Sequence, residues 1–263
     1  MLKQIRAIIS DMDGVLWRGL QPLPGLREFF ACMFDKNMGF VLATNNSSKT
    51  RMDYVDKLAT LGVNGVQPAH IVTSATATAS FLRTKHPPGT RIFVLGGAGL
   101  KQILTKAGFM LVEDDAELVV CGIDTDLTYQ KARKATLLIR GGAGFIGTNP
   151  DSSFPAPEGL VPGAGSILAL IEAASGQPPI IIGKPERGMF EAALGQLDAD
   201  PKETLMIGDR IGTDIQGARA LGIKTALVMT GVEDETSLAA SPTKPDFVFE
   251  GLPDLIQALK NAD

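Results

Sequence analysis

The chain is predicted to be an α/β protein, a doubly wound and mostly parallel sheet core that carries a second, smaller α/β domain as an insertion. Three observations predict this. Short apolar runs alternate with stretches of helical periodicity along nearly the whole chain, the signature of βαβ units. Four of the runs end in functional groups, as strands of an open parallel sheet do at their ligand-binding edge. Two proline-bearing interruptions, at 86–89 and 176–179, bracket a block of its own, which leaves residues 1–84 and 178–263 as the core and 85–177 as the insertion.

Ala7–Ser10 suits a buried strand and runs straight into Asp11, Met12, Asp13 and Gly14. Leu26, Phe29, Phe30 and Met33 then recur at helical spacing behind Pro22 and Pro24. Phe40–Ala43 is a second strand, ending in Thr44, Asn45 and Asn46, and a helix is expected from about Lys49 to Leu61 with Ser47 or Ser48 as its cap. An Ala-rich helix follows over Ser74–Leu82. Inside the insertion, strands are expected at Arg91–Leu95, Met110–Val112, Leu118–Cys121 and Phe145–Gly147, with helices at Leu100–Lys106, Leu127–Ile139 and Gly163–Ala174. The last block returns to the style of the first. Its strands are Ile180–Ile182, Thr204–Ile207, Lys224–Met229 and Phe247–Phe249, and its helices are Met189–Leu197, Ile215–Leu221 and Pro253–Lys260.

The 263 residues are 44% hydrophobic and 21% charged, which is ordinary globular composition. A net charge of −4 with no Lys/Arg-rich stretch argues against nucleic acid or an anionic membrane as partner. No cleavable leader and no long uninterrupted apolar run is read, so a cytoplasmic location is expected. Cys32 and Cys121 sit apart in apolar settings and read as buried thiols. His70 and His86 are isolated, which offers zinc no ligand set. The GGAG at Gly96–Gly99 precedes a helix, but Gln102 stands where a dinucleotide loop needs its third glycine, so it reads as a tight turn.

Asp11 and Asp13, two apart at a strand exit, start on one face and repel unless a positive group joins them. Phosphoryl transfer uses such a pair. A carboxylate nucleophile can take the phosphoryl group and a second acid can manage the proton. Mg²⁺ suits an oxygen-only site, and Asp11, Asp13 and Asp209 supply oxygens. Lys184 offers a compact positive charge, and Thr44 and Asn45 offer donors to a phosphate. Each residue alone has an ordinary reading as a turn, cap or solvated loop residue; their joint occurrence at strand exits is the argument.

At these residues the chain resembles the haloacid dehalogenase superfamily of phosphohydrolases, whose Rossmann-like core carries a cap. DMDGVLW (Asp11–Trp17), Thr44 in LATNNSS, Lys184 in GKP and GDRIGTD (Gly208–Asp214) match its four motifs in order. With TNPD (Thr148–Asp151), these phrases are similar to the nitrophenylphosphatase-like branch, which includes nucleotide, phosphoglycolate and pyridoxal-phosphate phosphatases and has a type-two cap. The resemblance implies Asp11 as nucleophile and magnesium ligand, and Asp13 as general acid/base with its carbonyl on the metal. It implies Thr44, Asn45 and Asn46 around the phosphate, Lys184 as the neutralising cation, Asp209 on magnesium and Asp214 in support. Val15 stands where threonine is common in the family. Trp17 is read as core packing, with a wall of the entrance as the alternative, and Asn149 and Asp151 as a structural turn, with leaving-group contact as the alternative. The substrate would be a small phosphorylated metabolite whose identity the sequence leaves open. Caps of this kind often mediate dimers, so a homodimer through the cap is the expectation for assembly. The rival reading is a non-catalytic phosphometabolite-binding or sensor protein on the same scaffold.

Overall fold

A computed structural model describes residues 2–156 and 159–262. The chain forms two compact units, one of Met1–Thr44, Arg51–Val72 and Pro185–Asp263, the other of Asn45–Thr50 and Thr73–Lys184.

The first unit is built on a six-stranded sheet with the order Phe247–Phe249, Lys224–Val228, Thr204–Gly208, Ala7–Ser10, Gly39–Thr44, Ile71–Thr73. Ala7–Ser10 is buried along its whole length, as a central strand covered on both faces must be. It pairs in parallel with both neighbours, Ser10 standing opposite Ile207 on one side and Leu42 on the other. The parallel register brings the carboxyl ends of these three strands, and hence Asp11, Asp209 and Thr44, to one edge. The chain enters the sheet at this strand and builds outward in both directions, the switch point where open α/β sheets bind ligands.

The helix Leu26–Asp35 follows Gly25 and buries Leu26, Phe29, Phe30, Cys32 and Met33. Phe30 meets Phe29 and Phe40 edge-on at 5.5 Å between ring centres. The helix Leu252–Lys260, with Pro253 in its first turn, packs beside it and adds Leu252, Leu255, Ile256 and Leu259 to the same core.

The second unit holds a five-stranded sheet in the order Ile180–Ile181, Gly144–Gly147, Leu118–Cys121, Arg91–Leu95, Met110–Leu111, all paired in parallel. The helices Tyr129–Arg140 and Ala164–Ser175 pack together and close a core of Leu95, Val119, Cys121, Ile139, Phe145, Leu168 and Ile171. Thr73 and Thr128 cap the helices Ser74–Lys85 and Tyr129–Arg140, each hydroxyl accepting a backbone N–H at 3.2 Å. Cys32 and Cys121 are buried free thiols, and burial pushes the Cys121 thiol up.

Some elements differ from the sequence reading. Ile180–Ile181 pairs with Ile146–Gly147 and so lies in the second unit's sheet, not the first. Two isoleucines after Pro178 and Pro179 are too short a run to declare which sheet they join. The helix Ser74–Lys85 also falls in the second unit, which takes in residues 45–50 and 73–184. The helix expected from Lys49 starts at Arg51, because Asn46 Oδ1 accepts from the Ser48 N–H and hydroxyl and holds the preceding residues in a turn. The strand Ile71–Thr73 and the helix Glu235–Ala240, the latter capped by Asp234, were not expected. Among the described residues no helix is long and apolar enough to cross a membrane.

Candidate active site

The site in the first unit is assembled by the sheet edge. Asp11 continues the central strand, its N–H donating to the Ile207 carbonyl at 2.8 Å. Asp209 follows the neighbouring strand by one residue, and Asp214 follows on the π-helical turn Ile211–Ile215. One carboxylate oxygen from each of Asp11, Asp209 and Asp214 lies within 4.8 Å of the others. Asp209 and Asp214 are 2% and 1% exposed, and Asp11 is half-buried.

The surrounding backbone is shaped to hold these acids. Asp209 Oδ2 accepts from the Val232 N–H at 3.0 Å, and Asp214 Oδ2 from the Arg210 N–H at 3.2 Å. Gly14 has a φ of +85°, and a Cβ there or at Gly231 would collide with the Asp209 carboxylate. The Thr230 hydroxyl donates to the Gly14 carbonyl at 2.7 Å and ties the two glycine loops together. Three carboxylates this close, two of them buried, form an arrangement that a bound cation would neutralise. An all-oxygen donor set fits a hard ion such as Mg²⁺ and offers nothing that favours a soft one.

Asp13 leaves the strand direction and is exposed. Its Oδ1 accepts the Trp17 indole N–H at 2.9 Å. Trp17 itself is 0% exposed and belongs to the core cluster, as the packing reading of this residue has it. Thr44 is buried at the end of its strand. Tyr54, on the helix Arg51–Thr60, reaches the same neighbourhood. Burial pushes its phenol up, the charges of Asp13, Asp11 and Asp53 add to this, and the Thr44 side chain opposes it.

The second unit gathers a different set. Lys184, 2% exposed, is held by its backbone: its N–H donates to Asn45 Oδ1 at 2.8 Å and its carbonyl accepts from Asn45 Nδ2 at 2.9 Å. The same Nδ2 also donates to Asp151 Oδ1 at 3.2 Å. Asn149 Nδ2 donates to the Asn45 carbonyl at 2.8 Å, and its Oδ1 accepts from the Asp151 N–H at 3.1 Å. The Ser74 hydroxyl donates to that Asn45 carbonyl as well, at 2.6 Å. Asn45, Asn149, Asp151 and Lys184 are thus one amide-centred cluster. Asn46 lies in the adjoining turn described above.

Two family models match the chain, one described as haloacid dehalogenase-like hydrolase over residues 8–110 and a second, HAD-hydrolase-like, over 181–255. A dihydroxyacetone phosphatase of Corynebacterium glutamicum is 40% identical over 247 residues, which is 94% of this chain and 89% of that protein. The chain belongs to the haloacid dehalogenase-like hydrolases. A 4-nitrophenylphosphatase structure from Thermotoga maritima superposes with a TM-score of 0.93 at 39% identity, covering 98% of each chain. A glycerol phosphate phosphatase from Mycobacterium tuberculosis, solved in complex with magnesium, has a TM-score of 0.90 at 29% identity over 98% of this chain and 78% of that one. Of this hydrolase's four motif stretches, Asp11–Trp17, Thr44 and Gly208–Asp214 fall in the first unit and Lys184 in the second. Sequence reasoning missed Tyr54, the glycine at 231 that makes room for Asp209, and the bond between Asp13 and Trp17. A Trp four residues after an Asp in a loop was the only signal of that last contact.

Proposed function

We propose that the chain is a Mg²⁺-dependent phosphomonoester hydrolase that works on a small phosphorylated metabolite through an aspartyl-phosphate on Asp11. The observation that carries this is the cluster of Asp11, Asp209 and Asp214 oxygens at the strand edge, with Asp13 on the loop between. Asp11 attacks phosphorus; the bond from its carboxylate oxygen to phosphorus forms while the ester P–O bond breaks. Asp13 donates its proton to the departing oxygen. Asp13 then takes a proton from water, which attacks phosphorus, and cleavage of the aspartyl-phosphate releases inorganic phosphate and restores Asp11.

Asp11, the Asp13 carbonyl and Asp209, with Asp214 behind, would hold magnesium, which when bound would supply the positive charge that offsets the approach of one anion to another. The motif match gives Thr44 and the Asn45–Asn46 segment to the phosphate and gives Lys184 the role of neutralising cation. For Asn149 and Asp151 the hydrogen bonds favour positioning Asn45 over touching a leaving group. The exposed Tyr129, Leu137 and Leu170 on the paired helices of the second unit support a homodimer through that unit, which sedimentation checks. A purely binding or sensor protein needs no nucleophile and acid in one loop, which counts against that reading. The test is a panel of phosphate esters, including dihydroxyacetone phosphate, glycerol phosphate, sugar phosphates and p-nitrophenyl phosphate, with and without Mg²⁺. Turnover that requires the ion is expected, and binding of esters without release of phosphate contradicts the proposal.

A further inference from the structure

The chain has a single tryptophan. It is fully buried, yet its one polar atom reaches an exposed carboxylate: the Trp17 indole N–H donates to Asp13 Oδ1 at 2.9 Å. The loop between them is short and self-bonded, with Leu16 N–H on the Met12 carbonyl and Gly14 N–H on the Trp17 carbonyl, each at 2.8 Å. This folds residue 17 back over residue 13. Met12, Val15 and Leu16 are buried in the same core as the indole. On the ring, Lys57 Nζ lies 3.8 Å from the centroid and also donates to the Gly19 carbonyl at 2.8 Å. The next residue, Arg18, anchors the loop's far end through Nε to the Thr230 carbonyl at 2.9 Å.

A carboxylate on a surface loop turns freely about its last side-chain bond, and each wrong orientation wastes an encounter with the leaving oxygen. Fixing Oδ1 on a rigid donor sets the plane of the carboxylate and the direction in which Oδ2 is presented. We propose that Trp17 is a positioning residue for Asp13, and that Lys57 holds the indole in place from the face of the ring. The proposal rests on the phosphatase reading, in which Asp13 protonates the leaving oxygen.

Two variants test it: Trp17→Phe, and replacement of Trp17 by benzothienylalanine, which keeps the bicyclic shape but has sulfur in place of the N–H. The substrates are phenyl phosphate and p-nitrophenyl phosphate, assayed by kcat/KM with magnesium. Nitrophenolate leaves with little help, whereas phenolate needs the proton. Both variants should lose at least about ten-fold more on phenyl phosphate than on p-nitrophenyl phosphate. Lys57→Met should shift the ratio the same way by about two- to five-fold. Separately, Asp13→Ala should move the emission of the lone tryptophan without any substrate present. Equal losses on the two esters overturn the positioning role, and unchanged emission in Asp13→Ala overturns the contact. Wild-type protein that hydrolyses neither ester refutes the phosphatase reading and the proposal with it.

Discussion

The two units are built alike and finished differently. Each is a parallel sheet whose strands end in polar residues, yet one edge collects charge and the other collects amides. In the first unit the strand exits carry Asp11 and Asp209, with Asp214 one turn on, and glycines clear space around them. In the second the strand Gly144–Gly147 runs into Thr148 and Asn149, whose neighbourhood is consumed in fastening Asn45 to the backbone of Lys184. The same architecture thus makes an acidic cluster where like charges are brought together, and an amide-centred mount where donors and acceptors satisfy one another. Substitutions in the first unit should remove chemistry and spare the fold, while substitutions in the second should weaken both together.

The largest effect is expected at Asp11. Asp11→Asn should lower kcat at least about 10⁴-fold while leaving Tm within a few degrees of wild type by calorimetry. A matching collapse of Tm would dissolve the contrast between the units. Asn45→Ala removes both bonds to the Lys184 backbone and the one to Asp151. It should reduce kcat by about a hundred-fold and stability by about 1–3 kcal/mol, read from denaturant melts alongside the assay.

Gly231→Ala brings a methyl against the Asp209 carboxylate. Its signature should be a magnesium requirement raised about 10- to 100-fold, measured by titrating the ion calorimetrically. The double change Asn149→Ala with Asp151→Ala should cost about 1–2 kcal/mol of stability and lower kcat/KM by one common factor across the ester panel. A changed ranking of esters would give those residues the leaving-group role that the sequence reading weighed against a structural turn.

The smallest effect is at Tyr54. Burial raises its pKa in the folded state, so the neutral phenol is favoured there. The stability this gives is complete below the unfolded value of about 10 and is lost as pH rises above it. Tyr54→Phe should therefore flatten the alkaline limb of the pH–stability curve and leave the neutral region little changed.

The contrast also explains what could be read from the sequence. Asp11, Asp13, Thr44 and Asp209 stand at the ends of apolar runs, so local pattern alone put them at a sheet edge. The strand Ala7–Ser10 was legible because it is buried along its length and apolar over Ala7, Ile8 and Ile9. Ile180–Ile181 was legible as a strand but not as a member of the second sheet, since partner choice depends on residues far away in sequence. The amide cluster was invisible for the same reason: Asn45 bonds with Lys184 across 139 positions and with Asp151 across 106. For Trp17 both packing and an entrance wall stayed open, because hydrophobicity says only that an indole prefers cover. The structure shows which cover it takes, and that its N–H emerges at Asp13.

The central claim is that Asp11 carries the phosphoryl group. It is tested most directly by quenching the enzyme during turnover of p-nitrophenyl phosphate and reducing the denatured protein with borohydride, which converts an aspartyl-phosphate to homoserine. Peptide mass spectrometry should then find homoserine at position 11 and nowhere else. Unmodified Asp11 in a sample that was turning over, or homoserine at Asp13 or Asp209, would contradict the account.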